Sequence, residues 1–225
     1  MAESFRSRVR GLAVAQRDAQ DGVSFVQTVE GALSETTNIL QRIRELAVQA
    51  ANGSNSTQNR TDLDLEVAEL INQTDAISSN TEFNDVNPIV SGGTTIILQI
   101  GADGNQVLAI SSLGADSVTL GNIATADLAT STDTAGAAIT LADAALLAVN
   151  MQRASLGAIQ NRFEFTISTL AIEAENSAAL ESGIRDANIA AETIGFTRNQ
   201  ILVAAGTSVL AQANVVPQTA LQLLG

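Results

Sequence analysis

An amphipathic pattern running through residues 21–53 constrains this chain more than any other feature. Within DGVSFVQTVEGALSETTNILQRIRELAVQAANG, apolar residues recur at alternating four- and three-residue steps. They are Phe25, Val29, Ala32, Ile39, Ile43, Leu46 and Ala50, with Thr36 filling one place. A second seam lies one residue further on, with Val26, Leu33, Leu40 and Ala47, interrupted by Glu30, Thr37 and Arg44. Two adjacent seams form a stripe wide enough to touch more than one neighbouring helix. The pattern reaches back towards Phe5, and Asn52-Gly53 offers left-handed residues that commonly end helices, so a helix is predicted over 5–52. At ~1.5 Å per residue it is a rod of roughly 70 Å. Such a helix needs partners of similar length.

The rest of the chain supplies them. Thr61 and Asp64 match a capping-box spacing, and Leu63, Val67, Leu70, Ile71 and Ile77 continue with helical period, giving a second helix over 61–79. A short loop between the two implies an antiparallel return. Residues 80–88 break the helix, and two β-rich runs follow, one on each side of Gly101–Asn105. Asp103-Gly104 between them signals a hairpin at about 94–112, too small to stand unless it packs on helices. Residues 114–130 read as loop with strand fragments. A second long helix is predicted over 134–184 on the seam Leu146, Val149, Leu156, Ile159, Phe163, Ile167, Leu170, Ala174, Leu180 and Ile184, with Ser177 filling the place between Ala174 and Leu180 and one seven-residue step over Arg153. Residues 183–188 look like a joint. The expected fold is mainly α: a long antiparallel helical bundle or coiled-coil rod with a small β-hairpin, a core over 1–186 and a C-terminal helical segment over 187–225.

Composition narrows the chemistry. The chain has no His, Cys, Lys, Trp or Tyr. Triads built on His or Cys, Cys/His zinc sites and Schiff-base lysines are therefore excluded. Residues 1–60 hold seven Arg against six acids, while 61–225 hold four Arg against eighteen, which together give the net charge of −13. So acidic a surface, without aromatic interleaving, argues against nucleic acid and anionic lipid as partners. No run of about eighteen apolar residues suggests a membrane span. Asp62, Asp64, Glu66 and Glu69 cluster at a helix start but lack the spacing of a calcium loop, so no metal or other cofactor is expected. The stretch 199–225 carries no charged side chain. A neutral apolar tail of this kind is expected to pack in an assembly or on a partner.

These stretches resemble a known family. GLAVAQRDAQDGVSFVQTVEGALSE and LQRIRELAVQAANGS are similar to the N-terminal region of bacterial flagellins. TEFNDV resembles the family's T-x-F-N-G element, with Asp85 in place of Gly. LGAIQNRFEFTISTL and QILVAAGTSVLAQANVVPQTALQLLG resemble the flagellin C-terminus, with Gly225 where the family usually ends in Arg. The resemblance covers roughly 5–86 and 135–225. It implies a non-catalytic structural subunit of the flagellar filament, extracellular, exported through the flagellar secretion apparatus without a cleavable signal. Its partners would be other flagellin subunits, the filament cap and hook-associated proteins. Family chains carry about 45 residues ahead of the position of Ala2, pairing with the C-terminal tail, so a chain without them is expected not to polymerise alone.

The resemblance also implies two contact sites. An export chaperone would wrap about 194–224, including Ile194, Ile201, Leu202, Val209, Leu210, Val216, Leu221 and Leu224. A host innate immune receptor would contact Gln41, Arg42, Arg44, Glu45 and Leu46, with Glu69 on the second helix. On the residues alone those charges read as ordinary helix solvation, with Gln41–Glu45 as an i,i+4 pair, and only the resemblance makes them a contact site. The alternatives to a filament subunit are a hook–filament junction protein and a soluble receptor-binding module.

Overall fold

The computed structural model describes residues 2–90, 92, 95–111, 113–186 and 189–224, with side chains described as far as 213. In chain order the elements are α1 (Ala2–Ala50), α2 (Thr57–Asn80), β1 (Ile96–Gln99), β2 (Val107–Ile110), α3 (Thr132–Arg185) and α4 (Ile189–Leu224), with a short 3-10 turn at Ile123–Thr125. They divide into two compact units, one of Glu3–Ala178 and one built on Ala179–Gly225.

The first unit is organised by seven-residue repeats. Along α1, Leu12, Ala19, Val26, Leu33, Leu40 and Ala47 are all buried, and so is the companion row Ala15, Gly22, Val29, Thr36, Ile43 and Ala50. Along α3 the buried row is Ala135, Ala142, Val149, Leu156, Phe163, Leu170 and Ser177. A repeat of seven is the spacing of a coiled-coil seam, in which slight under-winding keeps the same face on the partner. Thr36 and Thr37 sit in this seam without an unpaired donor, because their hydroxyls donate to Ala32 O at 3.0 Å and Leu33 O at 2.8 Å.

Ion pairs set the direction of packing. Arg8, Glu30 and Arg44 of α1 meet Glu173, Arg153 and Asp143 of α3 at 3.7, 2.7 and 2.6 Å. Partner numbers fall along α3 as they rise along α1, so the two helices run antiparallel. Glu30 and Arg153, each a blemish in its own apolar seam, are thus each other's partner, and both side chains are about two-thirds covered. The α3 seam does not continue to its end: Leu180 and Ile184, expected in it, are 54% and 53% exposed.

Helix α2 starts earlier than the capping-box spacing implies. Ser56 is the N-cap, its Oγ accepting from Asn59 N at 3.2 Å. Thr61 instead donates to Thr57 O within the helix, and Asp64 accepts from Leu128 N at 2.9 Å. Nor do Asn52 and Gly53 adopt left-handed conformations. The end of α1 is closed by Asn52 N and the Asn55 side chain, both donating to Gln49 O.

Between α2 and α3, TEFNDV makes a tight reversal. Phe83 and Val86 exchange backbone hydrogen bonds of 2.9 and 3.1 Å across Asn84 and Asp85, whose φ angles are 51° and 62°. Positive φ at both central positions defines a type I′ turn, which explains why Gly suits the place that Asp85 holds. The turn seats Phe83 edge-on to Phe25, with ring centroids 5.5 Å apart.

The expected hairpin is present, with Ile96 opposite Ile110 and Gln99 opposite Val107. Its turn differs from the expected one. The left-handed residue is Asn105 (φ 68°), and Gln99 Nε2 ties the loop by donating to Gly101 O and Asp103 O. Leu108 and Ile110 are buried in the helical core, as a two-stranded element requires. The strand fragments expected within 114–130 are absent from the described residues there. That segment is a loop docked on α2: Asp75 accepts from Ser117 N at 2.7 Å and Ser117 Oγ at 2.9 Å, while Leu120, Ile123 and Leu128 are fully buried. At the end of this loop, Asp127 accepts from the Thr130 hydroxyl and from the Thr130 and Ala129 amides, which hold its pKa below the ordinary carboxylate value.

Within residues 132–213 there is a helical window long and apolar enough to cross a membrane by length and composition alone, and 28% of that window is buried. Alanine-rich helices reach such hydropathy without a continuous run of large apolar residues.

Candidate functional site

The first candidate face lies where α1 meets α2. Arg42 projects from the exposed side of α1 and reaches across to α2. Its Nε and Nη2 donate to Glu66 Oε1 at 3.0 and 2.7 Å, and its Nη1 donates to Glu45 Oε2 at 3.4 Å. The Glu66 hydrogen bond, followed by the charge of Glu66, raises the Arg42 pKa further above its ordinary value. Such exposed pairs contribute little to stability. They hold a planar donor fork in one orientation.

Arg44 points away from this pair, its Nε donating to Asp143 Oδ1 on α3 at 2.6 Å. Gln41, Glu45 and Glu69 are exposed. Leu46, expected as an apolar anchor on this face, is 1% exposed and belongs to the core. It lies between the two buried rows of α1, three residues after Ile43 and one before Ala47, and so shares their covered face. The expected Gln41–Glu45 pair is replaced by Arg42–Glu45. Glu66, the carboxylate that meets Arg42, stood in the sequence among the acids at the start of α2. Among the described residues no cluster of acids is arranged to hold a metal ion. Asp64 and Glu66 are each committed to another partner.

The second candidate is α4. Ile194, Ile201, Leu202, Val209 and Leu210 are between 61% and 67% exposed, as are Phe196 and Val203. Ile194, Ile201 and Leu202, with Thr193, Thr197 and Arg198, flank a shallow, mainly apolar groove on this helix. The side chains of Val216, Leu221 and Leu224 lie outside the described residues. Leaving side chains such as Leu and Ile in water forfeits about 1.5–3 kcal/mol each relative to full burial. A soluble monomer gains nothing from such an arrangement.

Paired heptad helices together with a helix of uncovered apolar side chains define a structural subunit of the assembling class. Comparison with known proteins gives the family. The profile of the bacterial flagellin N-terminal helical region matches residues 1–92, and that of the C-terminal helical region matches 139–224. The 31.3 kDa flagellar filament core protein of Treponema maltophilum is 42% identical over 238 residues, covering 100% of this chain and 83% of that protein. Flagellin of Bacillus subtilis is 41% identical over 258 residues, covering 100% and 84%. The crystal structure of Bacillus cereus flagellin aligns with a TM-score of 0.62 at 30% identity, over 68% of this chain and 88% of that one. A flagellar hook-associated protein structure from Vibrio parahaemolyticus aligns at 0.70 over 81% and 95%, but at 11% identity it shares the fold alone. The chain belongs to the bacterial flagellin family, whose members are structural subunits of the flagellar filament, an extracellular appendage.

Proposed function

We propose that this chain builds its filament through its terminal helices, and that α4 is the segment an export chaperone covers beforehand. The observation that carries this reading is the exposure of every described large apolar side chain of α4. A helical apolar face without a partner is the substrate of helix-in-groove recognition, first on a carrier and then on neighbouring subunits. Contacts between different surfaces of identical subunits generate an open helical polymer. On this reading residues 1–186 form the filament's core layer and 187–225 the inner-tube segment. The filament cap and hook-associated proteins meet the ends of the polymer, and export proceeds through the flagellar secretion apparatus with no signal removed. Catalysis has no part in it.

The face of Gln41, Arg42, Glu45 and Glu69 is the proposed contact for a host innate immune receptor. Arg42 is its centre because Glu66 and Glu45 hold the guanidinium flat on the surface. Leu46 would act only by supporting α1 from beneath.

One set of variants separates these roles. In a chain preceded by the family's upstream residues, Leu202→Asp with Leu210→Asp is expected to abolish seeded filament growth in electron micrographs and to weaken chaperone binding at least about tenfold. Helical circular dichroism should be retained, since both residues are exposed. Arg42→Ala is expected to leave seed growth intact and to reduce receptor signalling. Normal filament growth by the Asp variant would overturn the role given to α4. Unchanged signalling by Arg42→Ala would remove the receptor face.

A further inference from the structure

We propose that Asn52 is a self-modifying site, whose side-chain amide converts to aspartate and isoaspartate through attack by the backbone nitrogen of Gly53. The turn that closes α1 supplies what this reaction needs. Asn52 and Gly53 are both exposed. The Asn52 Oδ1 accepts from Ser54 N at 3.1 Å, which folds the carboxamide back over the intervening Gly53 peptide and polarises its carbonyl. Asn52 N is engaged by Gln49 O, and Asn55 N by Asn52 O. Among the described residues, no hydrogen bond engages the Gly53 N–H. Nothing from elsewhere in the chain lies within 4 Å of the place where a Cβ on Gly53 would stand, so the turn is open at this residue.

The chemistry balances without a cofactor. Hydroxide or water removes the Gly53 amide proton, the nitrogen bonds to Asn52 Cγ, and the Cγ–Nδ2 bond breaks as ammonia leaves with a proton. Water then opens the five-membered imide. Cleavage of the nitrogen–Cγ bond leaves Asp at position 52. Cleavage on the other side leaves isoaspartate, with the main chain running through Cγ. Holding the two reacting groups together is the main advantage of the turn.

Two neighbouring asparagines serve as internal comparisons. Asn55 is followed by Ser56, and its Nδ2 is directed instead to Gln49 O at 2.6 Å. Asn59 lies in the first turn of α2, followed by Arg60. Both successors carry a side chain next to the attacking nitrogen. The new carboxylate at position 52 would stand at the C-terminal end of α1, whose last turn has no basic residue to offset it.

The test is incubation of the folded chain at mildly alkaline pH, followed by tryptic peptide mass spectrometry with fragmentation to locate each mass gain of about 1 Da. Conversion at Asn52 is expected to exceed that at Asn55 and Asn59 by about tenfold, with both aspartate and isoaspartate present. Gly53→Ala, checked for unchanged helical circular dichroism, is expected to remove that excess. An Asn52 that stays intact in the folded chain while converting in urea would overturn the proposal. So would conversion at Asn52 no faster than at its two neighbours.

Discussion

Phe163→Ala is expected to lower the stability of the Glu3–Ala178 unit by about 3–5 kcal/mol. Phe163 is fully buried and occupies the middle of the α3 heptad row. Its ring lies against the backbone of α1 at Gly22, a place also approached by Leu98 of β1. Truncation would open a cavity where three elements meet, and long paired helices have little freedom to collapse into it. For a unit of this size the loss corresponds to a fall in melting temperature of roughly 6–20 °C. Thermal and urea unfolding followed by circular dichroism would measure it. A loss below about 1 kcal/mol would mean that the seam closes over the gap.

Gly22→Ala should give the second largest effect, and its sign is the informative part. Alanine in place of a helical glycine ordinarily stabilises by about 0.5–1 kcal/mol. Here a Cβ would stand 2.6 and 2.7 Å from two ring carbons of Phe163 and 2.9 Å from Leu98 Cδ1. Overpacking of this kind costs about 1–3 kcal/mol, so a net loss of about 1–2 kcal/mol is expected. Gly31 supplies the control. It lies on the same helix with nothing within 4 Å of its virtual Cβ, so Gly31→Ala should stabilise. In a Phe163→Leu background the penalty at Gly22 should shrink, because the two positions share one contact. Equal effects of alanine at Gly22 and Gly31 would show that the helices separate freely.

The long helices were legible because each heptad row repeats the same information many times. One Thr or Ala in the row does not erase the period. What was not legible depended on distant residues. Glu30 and Arg153 each looked like a defect in its own seam, and nothing local says that one answers the other. Leu46 stood in the apolar seam of α1 and also, by resemblance, among the receptor contacts, and its burial follows the seam. The Thr61–Asp64 spacing was a real capping pattern, but Ser56 offered an earlier cap and Asp64 was drawn off to the Leu128 amide. Residues 114–130 were expected to hold strand fragments within a loop. Two α2 carboxylates, Asp64 and Asp75, provide the amide partners that a strand neighbour would otherwise have given. Of the two candidate faces, the apolar tail could be read from composition. The Arg42–Glu66 pair needed the antiparallel return of α2 to bring its halves together.

The three α1–α3 ion pairs are each about half exposed or somewhat more covered, and individually contribute little to stability. Their spacing matters in another way. A strict heptad row looks almost the same after one helix slides past the other by seven residues, so hydrophobicity alone leaves several alignments nearly equal in energy. Sliding would pull Arg8, Glu30 and Arg44 off their partners at once, and would set Phe163 over Ala15 or Val29 instead of Gly22. Weak charges and one missing methyl therefore act as a vernier scale. They select one alignment from a ladder of near-equivalents, so that every copy leaves folding with its ends at the same height.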